Sequence, residues 1–547
     1  MDLSRARRAA LGAVAGVLAG AAALGLGQFV AGLTGASSSP VVAVGQLQID
    51  FTPPWLKDWA ITEFGSDDKL VLVTGILVVL GLFAAFVGVI ATRRLAYGMA
   101  GLALFAAIGL TAAATRPTAT FATILPTLAA VATAVVVLRL LVGRIRPAAV
   151  AEPEPTPAVT ASADEELAAP DLPSRVPPST AMPARQPWSD VLEPKRRSFL
   201  AAGTLTIGVA AVAGLAGRLL TERASVAKII STLRIPGPVK ALPPLPAGVN
   251  PDVPGITPFI TANSQFYRVD TAIVLPQVNP DSWQLRIHGM VSKEITLTFD
   301  DLIRRPLIED YITLCCVSDP VAGPYISNAL FLGASLATVL REAGIKAGAD
   351  QLFCTSVDGF TSGTPIQTVM DGRDALLAVA MNGTPLPVAH GFPARMVVPG
   401  LYGYVSATKW VTDIEVTTFA GNYAYWAQRG WAQQAPIKTE SRIDVPTGNG
   451  PVKAGTVAVA GVAWAQHKGI DAVEVRIDNG PWHVAQLAAV PGIDCWRQWT
   501  WNWPATPGKH VISARATDDT GYTQTSLQEP PAPNGASGYP QVQVTVQ

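Results

Sequence analysis

Five runs of about 20 or more apolar residues constrain this 547-residue chain more than any other feature. They lie near residues 10–35, 70–92, 95–114, 121–143 and 199–220. A bilayer core of ~30 Å is crossed by about 20 helical residues, so each run is long enough to span it. The first is too long and too weakly cleavable for an ordinary secretory signal. No Asp, Glu or Lys lies well inside a run, which argues against an ion pathway. The histidines (His288, His390, His467, His483 and His510) all lie beyond the last run, which excludes bis-histidine haem ligation among these helices. The N-terminal part therefore reads as an anchor in contact with membrane lipid.

Lys and Arg set its orientation. Arg5, Arg7 and Arg8 precede the first run, Arg93 and Arg94 follow the second, and Arg144 and Arg146 follow the fourth. Lys195, Arg196 and Arg197 precede the fifth. All four clusters fall on one side if the N-terminus is cytoplasmic, and the acidic loop from Ser37 to Lys69 falls outside. The expectation is a multi-pass cell-membrane protein with everything after Leu220 extracytoplasmic. The segment "KRRSFLAAG" at 195–203 also resembles a twin-arginine export signal, an address for proteins translocated already folded. A positive-inside flank explains the same residues. Between them the chain reads as a disordered cytoplasmic linker rich in Pro, Ala and Glu over 147–195. Lys+Arg and Asp+Glu both number 40, and that balance argues for no nucleic-acid partner.

Beyond the fifth run (196–222 with its basic flank) two patterns follow. Over 223–435 "SWQLRIHGMV" and "EITLTF" alternate like strands, while "FDDLIRRPL" and "GASLATVLREAGI" carry helical spacing, which predicts an α+β domain. Over 436–547 "TVAVAGVAWA", "IDAVEVRIDNGPW", "WRQWTWNWP" and "KHVISARATDDTG" read as short strands with hairpin turns at "DNG" and "DDTG". This predicts an all-β, immunoglobulin-like sandwich without a disulfide framework. Its Trp496, Trp499, Trp501 and Trp503 are expected to fill core and interface positions.

Two of the four cysteines are adjacent, in "YITLCCVSDPVAGP". On a strand Ile312, Leu314 and Cys316 share one face and Thr313, Cys315 and Val317 the other, so only one cysteine can face a given site. The turn residues "SDPVAGP" end the strand and leave Cys316 near a loop mouth. A thiolate there suits a metal with sulfur in its coordination sphere; a buried, unliganded thiol is simply a small apolar filler. No CxxC or nearby His completes a zinc site.

The longer stretch "TLCCVSDPVAGPYISNALFLGASLATVL" resembles the sulfite oxidase family of molybdopterin enzymes, in its bacterial branch, whose usual form is close to T-L-x-C-V-S-N. "TPFITANSQFYRVDTA" at 257–272, "LLAVAMNGTPLPVAHGFPARMVVPGLYGYVSATKW" at 376–410 and "GWAQQAPIKTESRIDVP" at 430–446 fit it in order. The resemblance covers roughly 245–547. It implies an α-helical membrane anchor followed by an α+β sulfite-oxidase-like molybdopterin domain, with the sandwich as the family's second domain, through which a homodimer forms in relatives. It further implies one pyranopterin dithiolene and one cysteine thiolate holding molybdenum, and the pattern places that ligand at Cys316. Arg395 and His390 in "HGFPAR" match cofactor-binding positions. Asn263, Tyr267 and Arg268 match the segment beside the pterin, with Asp270 also near. Ser356 falls at a cofactor-contacting position, with Asp358 as the neighbour in a slipped register. Ser406, Thr408 and Lys409 match a cofactor-contacting loop.

Three departures bear on the substrate. Relatives that oxidise sulfite carry a tyrosine where this chain has Val379, and an arginine shortly after the cysteine that is missing from "VSDPVAG". Asp319 stands at the branch's usual Asn and adds negative charge near the metal, so it is assigned with Cys316 to the catalytic centre and disfavours an anion such as sulfite. No haem domain and no CxxCH is evident, so electrons pass to a separate partner, a membrane quinone system or a cytochrome. The leading expectation is an extracytoplasmic molybdenum-molybdopterin oxidoreductase doing oxo transfer on a small-molecule substrate. A sulfoxide-type reductase and a redox-inactive cell-surface scaffold stay open.

Overall fold

A computed structural model describes residues 3–35, 38–53, 56, 63, 68–116, 119–145, 193–223, 226–448 and 450–547. The linker expected over 147–195 lies almost wholly outside these residues, as does much of the acidic loop. The basic side chains at 195–197 are likewise outside the description.

The chain forms two compact units. One is helical and apolar: α1 (Leu3–Thr34), α2 (Pro40–Phe51), α3 (Asp68–Arg93), α4 (Leu95–Ala114), α5 (Phe121–Ile145) and α6 (Glu193–Arg223). Among the described residues five of these helices are long and apolar enough to cross a membrane, at the five positions read from the sequence. The short α2 was not anticipated. Large apolar side chains point outward, among them Leu70, Val79, Leu82 and Phe86 on α3 and Leu205, Val212 and Leu215 on α6. The helices meet through small residues, which lets their backbones approach. A Cβ on Gly12 of α1 would sit 2.9 Å from the Gly88 carbonyl oxygen of α3.

The second unit is β-rich. One sheet has the order β2-β1-β10-β5-β6, built from β1 (Gln284–Gly289), β2 (Ile295–Thr298), β5 (Gln351–Ser356), β6 (Thr361–Pro365) and β10 (Val411–Thr417). Only its β1–β10 pair is parallel. A second sheet runs β3 (Leu307–Cys315), β4 (Ile326–Ser335), β7 (Leu376–Met381) and β8 (Thr384–Pro385), with β9 (Arg395–Val397) also on β7. The expected helices are shorter than their apolar spacing suggested. "FDDLIRRPL" is helical only over Phe299–Ile303, and "GASLATVLREAGI" only over Leu336–Ala343. The second of these starts where Ser335 Oγ accepts the Thr338 N–H at 3.3 Å and ends at Gly344, with φ of 70°. The domain is thus more β than an even α+β reading implied.

The C-terminal residues form two sheets around one core. The first runs β11 (Glu440–Val445), β13 (Gly455–Trp464), β17 (Arg497–Ala505) and β16 (Gln486–Leu487). The second runs β12 (Pro451–Val452), β19 (Gln541–Val546), β18 (Gly508–Asp518), β14 (Ile470–Ile477) and β15 (His483–Val484). Val459, Trp499 and Trp503 from the first meet Val473, Ile512 and Val544 from the second. Trp496 does otherwise: it packs in the core of the preceding sheets and donates its indole N–H to the Phe259 carbonyl at 2.9 Å.

Candidate active site

Strand alternation separates the cysteine pair as the sequence predicts. Ile312 and Leu314 lie in one apolar cluster, Cys315 and Val317 in another, and Cys316 in neither. β3 ends at Cys315, so Cys316 is the first residue of the loop that returns to β4. That loop is closed by its own backbone. The Cys316 N–H donates to the Tyr325 carbonyl at 2.9 Å, Asp319 N–H to the Cys316 carbonyl at 3.1 Å, and Gly323 N–H to the Pro320 carbonyl at 2.8 Å. Asp319 Oδ1 accepts the Tyr325 N–H at 2.8 Å, so this carboxyl turns inward to brace the loop. Burial pushes it up to about 7, opposed by that bond and by Arg442. Burial also pushes the Cys316 thiol up, opposed by Ser318, whose Oγ lies 3.0 Å from Sγ.

A cationic wall is built from the other end of the same sheet. Arg395 opens β9 and is 5 % exposed. Its guanidinium donates to the main-chain carbonyls of His390 and Ala407, both at 3.2 Å, and weakly to its neighbour Met396. Among the described residues no carboxylate lies within ion-pair distance of it. Burial lowers the guanidinium to about 10, with Tyr267 opposing. Lys409 donates to Asp270 at 3.0 Å and to the Ala389 carbonyl at 3.3 Å; burial brings it down to about 8 against the pull of Asp270. Arg268 lies 3.3 Å from the same Asp270. His390 Nε2 is 2.9 Å from the Asn263 carbonyl, and burial, then Arg395, lowers it to about 4, so it is neutral near pH 7. Gly391, with φ of 107°, is required here: a Cβ would sit 3.0 Å from Arg395 Cβ and 3.1 Å from Lys409 Cβ.

Tyr267 joins the two parts. Its N–H donates to Ser327 Oγ at 3.1 Å, its ring stacks on Phe266, and its phenol lies by Gly403, where an added Cβ would stand 3.3 Å from the oxygen. Burial raises this phenol well above its ordinary value, reinforced by Cys316 and Cys315 and opposed by Arg395. Asn263 is held by Asn382, whose amide donates to its side-chain oxygen at 2.7 Å. Ser356 donates to Asp358 at 2.6 Å, and that carboxylate acts on Lys409, so both residues considered for this position lie together. Thr408 pairs with Ser362 at 2.6 Å. The Ser406 hydroxyl is spent on the Leu401 and Tyr402 carbonyls, at 2.9 and 3.1 Å.

This donor set fits a metal-bearing pterin. A thiol sits at a loop mouth, a phenol stands nearby, and a buried cation with no carboxylate in ion-pair distance among the described residues suits an anionic tail. A domain family described as Oxidoreductase molybdopterin binding domain matches residues 272–426. The uncharacterized oxidoreductase YuiH of Bacillus subtilis (strain 168) is 30% identical over 149 residues, covering 27% of this chain and 72% of that protein. The chain belongs to the sulfite oxidase family of molybdopterin oxidoreductases. Mitochondrial sulfite oxidase of Homo sapiens is 28% identical over 313 residues, 48% of this chain and 57% of the human protein, so the match spans little more than half of that relative. Sulfane dehydrogenase SoxCD from Paracoccus pantotrophus aligns with a TM-score of 0.46 and 23% identity over 53% of this chain and 84% of that one.

In this member of the family, Val379 is fully buried in the core and offers no hydrogen-bond donor. Ser318 was missed by the sequence reading, although it lies two residues from Cys316. So was a set of contacts from loops that join the C-terminal strands. Thr313 on β3 donates its N–H to the Asp494 carbonyl, accepts from the Trp496 N–H at its hydroxyl, and accepts from Gln466 at its carbonyl.

Proposed function

We propose that the protein is a membrane-anchored molybdenum-molybdopterin oxidoreductase with Cys316 as the protein ligand to the metal. The observation that carries this reading is Arg395, a buried cation bonded to main-chain carbonyls with no carboxylate in ion-pair distance among the described residues, which shares Tyr267 as an electrostatic neighbour with Cys316. When bound, the cofactor supplies two-electron redox chemistry and the transferable oxygen. The chain's residues bind, orient and insulate it. Arg395, Lys409 and Arg268 would hold the anionic tail, and neutral His390 and the main chain around Asn263, Ser356, Ser406 and Thr408 would fix the pterin. Tyr267 covers the thiolate side.

The substrate is small and handled by oxo transfer. Sulfite is disfavoured: the Val379 side chain donates nothing, and the Asp319 carboxyl lies within the 316–325 loop itself. Electrons are exchanged with a separate partner, a quinone system or a cytochrome. The positive-inside pattern of Lys and Arg supports an extracytoplasmic β-rich unit, with "KRRSFLAAG" as its export address. The C-terminal sandwich is immunoglobulin-like and serves as the homodimer contact.

Full-length protein from a molybdopterin-competent host should carry about one molybdenum and one pterin per chain. A screen with artificial electron donors and acceptors then gives the direction of reaction. A folded, metal-free product from that host would leave the scaffold reading in its place.

A further inference from the structure

An arginine of the C-terminal sheets, Arg442, reaches the loop that carries Cys316. Arg442 on β11 donates from Nη1 to the Gly323 carbonyl at 3.1 Å, from Nη2 to Thr257 Oγ1 at 2.9 Å, and from Nε to Asp444 Oδ1 at 2.8 Å. Asp444 in turn accepts the Thr257 N–H at 3.0 Å, and the Thr257 carbonyl accepts from Gln498 Nε2 at 3.0 Å. The Arg442 and Asp444 side chains are only 13% and 8% exposed. A planar guanidinium with three fixed acceptors cannot turn without breaking one of them.

What Arg442 holds is the least relaxed turn of the loop. Ala322 takes a left-handed φ of 64°, unfavourable for a residue with a Cβ. At Gly323 there is no room for a Cβ, which would meet the Asp319 carboxylate and stand 2.7 Å from Pro320 Cδ. Asp319 Oδ1 accepts from Tyr325 N–H and the Tyr325 carbonyl accepts from Cys316 N–H, so Tyr325, two residues along the chain from Gly323, ties that turn to Cys316. The other end of the grip, Thr257, opens the segment that runs to Asn263, Tyr267 and Arg268. One side chain of the second domain therefore ties both walls of the site.

We propose that Arg442 is a positioning residue for the metal centre, locking the 316–325 loop so that the Cys316 sulfur is presented in one orientation. This rests on the assignment of Cys316 as the ligand. It gives the C-terminal domain a part in the site itself, beyond any role in assembly.

The test compares Arg442→Met with Arg497→Met in the full-length chain. Arg497 is an internal control, bonded to the Ala488 and Ile470 carbonyls of the same domain, both at 2.8 Å. In metal-free protein, amide exchange within 316–325 should accelerate roughly tenfold or more in Arg442→Met, with β13 and β18 unchanged, as loss of one buried charged hydrogen bond implies. Arg497→Met should leave the loop as it is. In loaded protein, Arg442→Met should replace a single molybdenum(V) resonance by several, reporting more than one thiolate orientation. Exchange that rises evenly across the domain, or a loop that does not respond, overturns the proposal. If Arg442→Met does not fold, Asp444→Asn decides: it keeps the arginine but loosens its grip, and should accelerate the loop several-fold. Failure of the parent chain to take up molybdenum would count against the proposed function, while the metal-free exchange data would still decide the role of Arg442.

Discussion

Replacing Arg395 by Met distinguishes a cofactor-binding cation from a structural one. The fall of the guanidinium to about 10 through burial corresponds to about 3 kcal/mol against the charged form, at about 1.4 kcal/mol per tenfold. Against this stand its bonds to three main-chain carbonyls, at 3.2, 3.2 and 3.4 Å. These are longer than good charge-assisted bonds and worth about 1 kcal/mol each. The two contributions nearly cancel. Arg395→Met should therefore shift the stability of the cofactor-free chain by less than about 2 kcal/mol, where breaking a needed buried ion pair costs about 3–5 kcal/mol. The loaded chain should behave differently. Losing a charged bond to an anionic tail costs about 1.5–3 kcal/mol, or roughly 10–100-fold in cofactor retention. Denaturant titration of the cofactor-free chain and molybdenum content after gel filtration read the two effects separately. A variant destabilised by more than about 4 kcal/mol that keeps its full molybdenum would refute the reasoning and make Arg395 a structural residue.

Two further substitutions follow from the same geometry. Burial, then the Asp319 carboxyl, pushes Glu440 up to about 8, with Lys438 opposing, and its Oε1 has no hydrogen-bond partner among the described residues. A carboxyl raised above its unfolded value holds its proton more tightly when folded, so its penalty is absent below about pH 4, grows as pH rises, and is complete above about pH 8. Glu440→Gln should thus match the parent near pH 4.5 and exceed it near pH 8.5 by about 4 kcal/mol in thermal unfolding; an offset that does not vary with pH would contradict this. Gly391→Ala meets both a left-handed φ and the Arg395 and Lys409 side chains, and should cost about 1–3 kcal/mol. It should lower cofactor content more than Gly372→Ala, whose φ of 106° is as strained but whose Cβ meets nothing; equal losses would show that strain alone matters.

Much of this was legible in the sequence because it depends on local spacing. Apolar runs longer than a bilayer core leave few alternatives to membrane-length helices, and period-two alternation separated Cys315 from Cys316 before any fold was known. The family motifs brought Arg395, His390, Lys409 and Tyr267 into one neighbourhood, and their burial and hydrogen bonds agree with it. What escaped the sequence was non-local. Thr313 and Trp496 meet across 183 residues, and Arg442 reaches Gly323 across 119, with no signal in either segment alone. Within "TESRIDVP", alternation does put Arg442 and Asp444 on one face, but it says nothing about what that face meets. Helix lengths were overestimated because apolar spacing over a few residues suits a strand end as well as a first turn. Asp319 also looks different in the fold. Its charge is legible in sequence, but its inward turn onto the Tyr325 N–H is a consequence of the loop.

The number of sulfur atoms bound to molybdenum tests the central claim most directly. X-ray absorption of the loaded full-length protein should show a sulfur shell that loses one atom in Cys316→Ser and is unchanged in Cys315→Ser. A shell unaltered by Cys316→Ser, or reduced by Cys315→Ser, would contradict the assignment of the ligand and the site built around it.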